Sequence, residues 1–242
     1  MRRELGALFE APITYVALAM FVVVLPLLFF LVGFPVGRQP LPGLFEGGQA
    51  NLIVLFTWLP LLLALLVPAL SMSAWAEERR SGTEELVLTW PVRASEVALG
   101  KFLARTVLLA LMVSVAVIPS AVAVAGLGDL DWGPVWVGLG GAIILAAAYC
   151  ALALWVSALV EEQLAAFLLG AALLVGLWAL DFAVALMPAW LAGTLRYSAP
   201  GAHFLDSAAL GVVDARDGVY FALFIVFGLT LNVVAVERRR WR

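Results

Sequence analysis

Long apolar stretches alternate with short polar segments along the chain, and this alternation predicts its elements. A helix needs about 20 predominantly apolar residues to cross the hydrocarbon core of a bilayer. Six stretches approach or exceed that length with few charges, namely 13–34, 52–74, 102–125, 135–159, 164–187 and 219–236. The pattern therefore predicts an all-α membrane protein with six transmembrane helices in a single domain over residues 1–242.

The polar segments between the spans are predicted to lie alternately on the two sides of the membrane. Segments 35–51, 126–133 and 188–218 would lie on one face, and segments 75–101 and 160–163 on the other. The outer loop 188–218 contains an apolar middle, Phe204 to Val213, that is too short to span and is expected to form a re-entrant or interfacial helix. In the same loop, Asp217 is expected to cap the last span, and His203 is expected to be an ordinary polar residue.

Composition supports a membrane location, and the distribution of charge indicates which side of the membrane is cytoplasmic. The chain is 64% hydrophobic and 13% charged, whereas soluble domains carry about 25% charged residues. Eleven of its 14 Lys and Arg residues lie at the two ends or within 75–105. Basic segments stay in the cytoplasm, so both termini and segment 75–101 are predicted to be cytoplasmic, as an even number of spans also requires. The first apolar run is too long for a signal peptide and should stay attached.

Residues 1–12 predict a short amphipathic helix in the cytoplasmic interface. Leu5, Leu8 and Phe9 fall at i, i+3 and i+4 on one helical face, and Pro12 ends the segment. The alternative is a frayed tail. The residues expected to characterise this interfacial helix are Arg3, Glu4, Leu5, Leu8 and Phe9.

The segment 75–101 predicts a coupling loop. Ser81 to Glu84 match a capping box, with Thr83 as the competing cap, before a helix of about two turns that Pro91 ends. Ser95 is expected to cap the next helix. Leu86, Val87, Leu88 and Trp90 need an apolar surface, which a cytoplasmic partner, the chain's own inner face or lipid could supply. The expected docking residues are Glu77, Glu78, Arg79, Arg80, Gly82, Thr83, Glu84, Glu85, Leu86 and Pro91.

The sequence carries no motif of an enzyme. It has no phosphate-binding G-x-x-x-x-G-K-[ST] loop, no G-x-S-x-G turn and no H-E-x-x-H helix. One histidine and one cysteine, Cys150, disfavour a metal site. We therefore expect no catalytic, cofactor-binding or metal-binding residues on this chain.

Few polar residues fall within the spans. Asp181 lies in the fifth span and Asn232 in the sixth, and a membrane-embedded Asp should face the bundle interior or a wet cavity. Both are expected either to line a pathway or to form hydrogen bonds between helices. Arg105, about one turn beyond Lys101, is expected to snorkel to the inner interface.

Together, these segments resemble the permease subunits of ABC-2-type transporters, in particular the gliding-motility-associated permeases and the permease of nitrous-oxide-reductase maturation. The stretches that carry the likeness are Arg3–Tyr15, Ala76–Leu86 with Trp90–Arg93, Glu96–Phe102, and Ser198–Tyr220 with His203-Phe204 and Asp217–Tyr220. Glu161-Glu162 in the inner turn depart from the family pattern, which puts contact between that turn and an ATPase in doubt.

The resemblance implies an ABC-2, type V exporter-like transmembrane domain in a bacterial inner membrane. It implies two permease copies or paralogues per transporter, each with a separate cytoplasmic ATPase subunit that binds ATP and Mg²⁺. It also implies that the interfacial helix and the coupling loop contact this ATPase.

The sequence therefore favours the permease subunit of an ATP-driven exporter. The alternative is a membrane anchor or assembly subunit of a cell-envelope machine that transports nothing. An ion-coupled secondary transporter should show more intramembrane acids and inverted repeats than this chain does.

Overall fold

The computed structural model describes residues 2–35, 41–80, 93–183 and 196–240. These residues form helices, with a single isolated bridge between Phe34 and Leu41. The helices, in chain order, are α1 (Arg2–Glu10), α2 (Pro12–Leu27, continued by a π-helical turn Leu28–Val32), α3 (Leu44–Gly47), α4 (Ile53–Ser71), α5 (Ser73–Arg80), α6 (Ala94–Ala125), α7 (Trp132–Leu159), α8 (Gln163–Ala183), α9 (Pro200–Asp206, followed by a 3-10 turn Ala208–Leu210) and α10 (Ala215–Arg240).

Six of these elements are long and apolar enough to cross a membrane. They are α2 with its π-helical turn, α4 continued into α5, and α6, α7, α8 and α10. The prediction of an all-α protein with six membrane-spanning helices is confirmed.

Helices α6 and α10 begin well before the apolar runs that predict them. Helix α6 starts at Ala94, and the Glu96 carboxylate accepts a hydrogen bond from the Arg93 N–H at 3.3 Å. The predicted cap Ser95 is therefore wrong, because it lies within the first turn. The polar start of this helix extends beyond the apolar run, so hydropathy alone missed it.

Helix α10 starts at Ala215, so the prediction that Asp217 caps it is also wrong. Asp214 occupies the capping position instead. Its carboxylate accepts the Arg216 N–H at 2.8 Å, and its carbonyl oxygen accepts the Gly218 N–H at 3.3 Å. Asp214 satisfies amide groups that the first turn would otherwise leave unpaired, which frees Asp217 for another contact.

Helix α7 lies at the centre of the bundle, because small residues let its neighbours approach closely. A Cβ added at Gly138 would lie 2.4 Å from the Phe56 ring of α4. On the other side, a Cβ added at Gly228 of α10 would lie 2.9 Å from Ala151 Cβ. Such contacts between small residues are typical of membrane helix interfaces. Helices α2 and α8 lie at the periphery, with only 17% of each apolar window buried.

The segment after residue 196 turns back into the bundle. Phe204 is fully buried and packs edge-on against Phe56, with ring centroids 6.2 Å apart. A Cβ added at Gly201 would contact Pro60 of α4 at 3.5 Å and the Tyr149 hydroxyl of α7 at 3.8 Å. The outer loop thus re-enters the bundle, but through α9 and the 3-10 turn rather than through one helix over the predicted apolar middle, Phe204 to Val213.

Candidate coupling face and outer polar cluster

The amphipathic helix α1 is joined to the N-terminal part of α6 by buried charge. Lys101 Nζ lies 3.4 Å from Glu4 Oε1, and Arg105 Nη1 lies 3.7 Å from Glu4 Oε2. Lys101 and Arg105 share one face of α6 because they are four residues apart. Only 2% of the Lys101 side chain is exposed, compared with 29% for Glu4. The carboxylate of Glu4 therefore bridges α1 and two buried cations of α6.

The same lysine contacts the start of the predicted coupling loop. Lys101 Nζ donates to the Ala74 carbonyl oxygen at 2.9 Å and lies 4.8 Å from the centroid of the Trp75 ring. A buried ammonium group needs such partners, because removal from water is otherwise unfavourable. The cation–π contact adds a further favourable term. Lys101 thereby connects α1, α5 and α6.

Helix α7 holds the junction between α4 and α5. The Ser157 hydroxyl donates to the Met72 carbonyl oxygen at 3.1 Å and accepts the Trp75 N–H at 3.3 Å. Ser157 is fully buried, so both bonds are shielded from competing water. The base of the coupling loop is therefore attached to the central helix as well as to α6.

The apolar face of α1 is directed partly inward. Leu8 is buried and Leu5 half-buried, whereas Phe9 remains exposed. The Leu8 carbonyl oxygen accepts a hydrogen bond from the Thr14 hydroxyl at 2.7 Å, which links α1 to the first turn of α2. The side chain of Arg3 lies outside the described residues.

Most of the predicted docking residues lie outside the described part of the chain. Helix α5 extends through Glu77, Glu78, Arg79 and Arg80, but only their backbone is described. The capping box, the short helix and its apolar face remain predictions. The residues concerned are Gly82, Thr83, Glu84, Glu85, Leu86 and Pro91.

The two polar residues predicted within the spans differ in what the structure shows. Asn232 is fully buried, and neither amide atom of its side chain has a hydrogen-bond partner among the described residues. Asp181 lies in the last turn of α8, and its side chain is outside the described residues. Their roles as pathway or packing residues remain predictions.

Arg105 does not extend its side chain into water, as the prediction that it snorkels required. Its side chain is 4% exposed and points to Glu4 rather than into water. Sequence reasoning missed Glu4 as the counter-ion. The available signal was the pair of cations four residues apart on an apolar helix, since membrane-embedded charges require a partner.

A second polar cluster joins the re-entrant segment to α10. His203 Nδ1 lies 2.7 Å from Asp217 Oδ1, and His203 Nε2 lies 3.0 Å from the Tyr197 carbonyl oxygen. The imidazole stacks on the Tyr220 ring with centroids 3.9 Å apart. The Tyr220 hydroxyl donates to the Ser198 carbonyl oxygen at 3.1 Å. The interpretation of His203 as an ordinary polar loop residue is therefore wrong, because its ring is the centre of this cluster.

Comparison with known proteins decides the family. The family model described as "ABC-2 family transporter protein" matches residues 17–209, which is well over half of the chain. The chain belongs to the ABC-2 transporter family. No curated protein matches it significantly.

Membership in the ABC-2 family identifies the chain as a transmembrane subunit of an ABC transporter. Subunits of this family associate with an ATP-binding subunit and are generally not catalytic themselves. The matched region contains the predicted coupling loop and the re-entrant α9, whereas α1 and α10 lie outside it. The narrower likeness to gliding-motility-associated and nitrous-oxide-reductase-maturation permeases remains a prediction.

Among the described residues, no group of three or more His, Cys, Asp and Glu side chains is arranged to hold a metal ion. The free Cys150 is buried in α7.

Proposed function

We propose that this ABC-2 permease is the membrane half of an exporter, driven by a separate cytoplasmic ATPase that docks on Glu77–Pro91 and on α1. The proposal is supported by one observation in particular. Lys101 contacts Glu4 of α1 and the Ala74 carbonyl oxygen at the base of the coupling loop. A force applied to either element would therefore reach α6 through one buried ammonium group.

The charge distribution supports the proposed orientation. Glu4, Lys101 and Arg105 meet at the end of the bundle that also carries the basic segment 75–105 and the C-terminal basic run. Basic residues near membrane helices favour the cytoplasmic side. We propose that this end lies on the cytoplasmic side of a bacterial inner membrane and that both termini lie on that side.

In the proposed cycle, ATP and Mg²⁺ bind the partner ATPase and not this chain. Closure of two ATPase subunits would move the two coupling loops, and α6 and α7 would follow because Lys101 and Ser157 hold them to that loop's base. A second permease copy or paralogue would complete the pathway. The peripheral helices α2 and α8 leave most of their surface available for this partner or for lipid.

The docking assignment is tested by charge reversal in the full-length chain. The permease would be co-expressed with its candidate ATPase, carrying either Arg79→Glu with Arg80→Glu or Glu84→Lys with Glu85→Lys. We expect loss of co-purification and of permease-stimulated ATP hydrolysis. Arg216→Glu, on the opposite face, is the control and should leave both unchanged. Intact complex formation and stimulation in both double variants would show that docking occurs elsewhere.

Transport and anchoring are separated by a second measurement. Single cysteines on α8 would be labelled with a membrane-impermeant thiol reagent in the purified complex, with and without ATP. An exporter predicts ATP-dependent labelling at some positions, because access to the pathway alternates. Unchanged labelling along the whole helix, with ATP hydrolysis intact, would support the anchor.

A further inference from the structure

An apolar groove lies on the outside of the bundle, between α2 and the C-terminal end of α6. Its volume is about 540 Å³, and every described residue that lines it is apolar. The exposed residues of its wall are Leu27 and Leu31 of α2 and its π-helical turn, Phe45 of α3, Ala123 of α6, and Leu127 just beyond α6. A polar group placed here would lose its hydration without gaining a hydrogen bond. The groove therefore suits a hydrocarbon chain.

The chain folds back beside this groove at Gly33, directly after the π-helical turn. Gly33 has a φ of 69°, and an added Cβ would lie 2.5 Å from the Gly43 nitrogen, so this position requires glycine. The Trp58 indole N–H of α4 donates to the Gly33 carbonyl oxygen at 2.8 Å. The fold-back places α3 beside α2, with the ring centroids of Phe30 and Phe45 5.6 Å apart. Helix α3 thus supplies a third wall that two packed helices alone would lack.

The position of the groove along the spans indicates what surrounds it. Helix α2 with its π-helical turn and helix α6 are both long and apolar enough to cross a membrane, and only 17% of the apolar window of α2 is buried. Leu27 and Ala123 lie in the last turns of these two helices. The groove therefore lies where the hydrocarbon of one leaflet approaches its headgroups, and acyl chains are the hydrocarbon available at that depth.

Two exposed acidic residues follow the wall of the groove in the sequence. Glu46 comes directly after Phe45 in α3, and Asp129 comes two residues after Leu127. Arg38 lies outside the described residues. Carboxylates attract a cationic group and repel an anionic one. An ethanolamine headgroup offers an ammonium group, whereas a glycerol headgroup leaves the phosphate charge unbalanced. The charges at this edge therefore favour phosphatidylethanolamine over phosphatidylglycerol.

We propose that the groove between α2, α3 and α6 is a binding site for one phospholipid. An acyl chain fills the groove, and the ammonium group of an ethanolamine headgroup lies near Glu46 and Asp129. In the proposed orientation of the permease, this lipid belongs to the outer leaflet. The binding itself requires neither that orientation nor an ATPase.

The test uses native mass spectrometry of the full-length protein in detergent, mixed with phosphatidylethanolamine and phosphatidylglycerol that carry identical acyl chains. We expect the wild type to retain phosphatidylethanolamine about fivefold better, because exposed charges contribute modestly to binding. Equal retention of the two lipids, or retention of neither, would overturn the proposal. No membrane or ATPase is present in this experiment, so such a failure would leave the proposed function untouched.

Variants of the groove wall locate the bound lipid. Ala123→Trp places a large side chain in the groove, and we expect lipid retention to fall about tenfold or more, since the acyl chain loses its apolar contacts. Ala222→Trp, at an exposed position of α10 outside the groove, is the matched control and should retain as much lipid as the wild type. Phe45→Ala removes one wall without added bulk and should also weaken retention, even if the Ala123 variant fails to fold. Retention that neither groove variant lowers would overturn the proposal.

A charge variant tests the position of the headgroup. Glu46→Gln should still bind lipid but should discriminate less between the two headgroups. Glu10→Gln, at an exposed acid of α1, is the control and should discriminate as the wild type does. Unchanged discrimination in Glu46→Gln would contradict the proposed headgroup contact. Loss of a permease dimer in Ala123→Trp, with lipid retention intact, would assign the groove to a second copy of the chain instead.

Discussion

The ammonium group of Lys101 lies 3.4 Å from the carboxylate of Glu4, although the two residues are 97 positions apart in the chain. This contact joins the helix that precedes the first span to the start of the third. It is partly buried, so water screens it less than an ion pair on the surface. Lys101 also donates a hydrogen bond to the Ala74 carbonyl oxygen, which lies at the base of the predicted coupling loop.

Removal of the Glu4 charge should destabilise the inner end. Glu4→Gln leaves Lys101 and Arg105 without their shared carboxylate, and we expect a loss of about 1–3 kcal/mol, since Glu4 is partly exposed and Lys101 retains a carbonyl partner. Glu10→Gln, at an exposed acid of the same helix, is the matched control and should be neutral. Unfolding in detergent and amide exchange of α1 measure the effect. Equal stability of the two variants would contradict the role of Glu4.

The hydroxyl of Ser157 should matter for coupling more than for folding. Ser157→Ala removes the acceptor of the Trp75 N–H and the donor to Met72, and two hydrogen bonds of this kind contribute about 1–3 kcal/mol together. We expect faster amide exchange in 72–80 and weaker stimulation of the partner ATPase. Ser114→Ala is the control, because within the described residues that hydroxyl bonds to Ala110 of its own helix and to no other helix. A similar response in both variants would argue against attachment through α7.

Glycine positions on α7 should respond unequally to alanine. Gly138→Ala places a Cβ 2.4 Å from the Phe56 ring, and we expect overpacking to lower the stability by about 1–3 kcal/mol. Gly140→Ala meets nothing within 4 Å and should be neutral or stabilising by up to about 1 kcal/mol, because alanine favours helix. Thermal unfolding of the two variants in one detergent compares them directly. A destabilised Gly140→Ala would show that this side of α7 is covered in the assembled protein.

Both chain ends should lie on the cytoplasmic side. Cysteines placed at position 1 or 242 should react with a membrane-impermeant thiol reagent only after the inner membrane is opened. A cysteine that replaces the exposed Val213 should react while that membrane is still intact. Cys150 is buried and serves as the internal background. Reaction of the two ends from opposite sides would invalidate the orientation and the placement of the ATPase.

The spans could be predicted from the sequence because length and hydropathy determine them locally. Their true ends could not, because they depend on capping groups beyond the apolar runs. Glu96 accepts the Arg93 N–H at the beginning of α6, ahead of the apolar stretch. Asp214, rather than Asp217, caps α10.

The polar contacts of the candidate sites were harder to predict, because each depends on tertiary structure. Glu4 meets Lys101 across 97 positions, which no local pattern encodes. His203 and Asp217 are only 14 positions apart, but the turn of the chain between them had to be known before they could be paired. Each residue was predicted to have a separate role, and only the fold shows that the two side chains meet.

Helices α7 and α10 pack closely at Gly228, where an added Cβ would lie 2.9 Å from Ala151 Cβ and 3.1 Å from the Ala151 carbonyl carbon. Helix α7 also packs against α4 and α6, so we expect these helices to move as one body when the coupling loop moves. Helices α2 and α8 are the least buried of the six spans and are the ones free to shift relative to that body. A pair of distance probes, one on α7 and one on α2 or α8, would therefore report the change in shape.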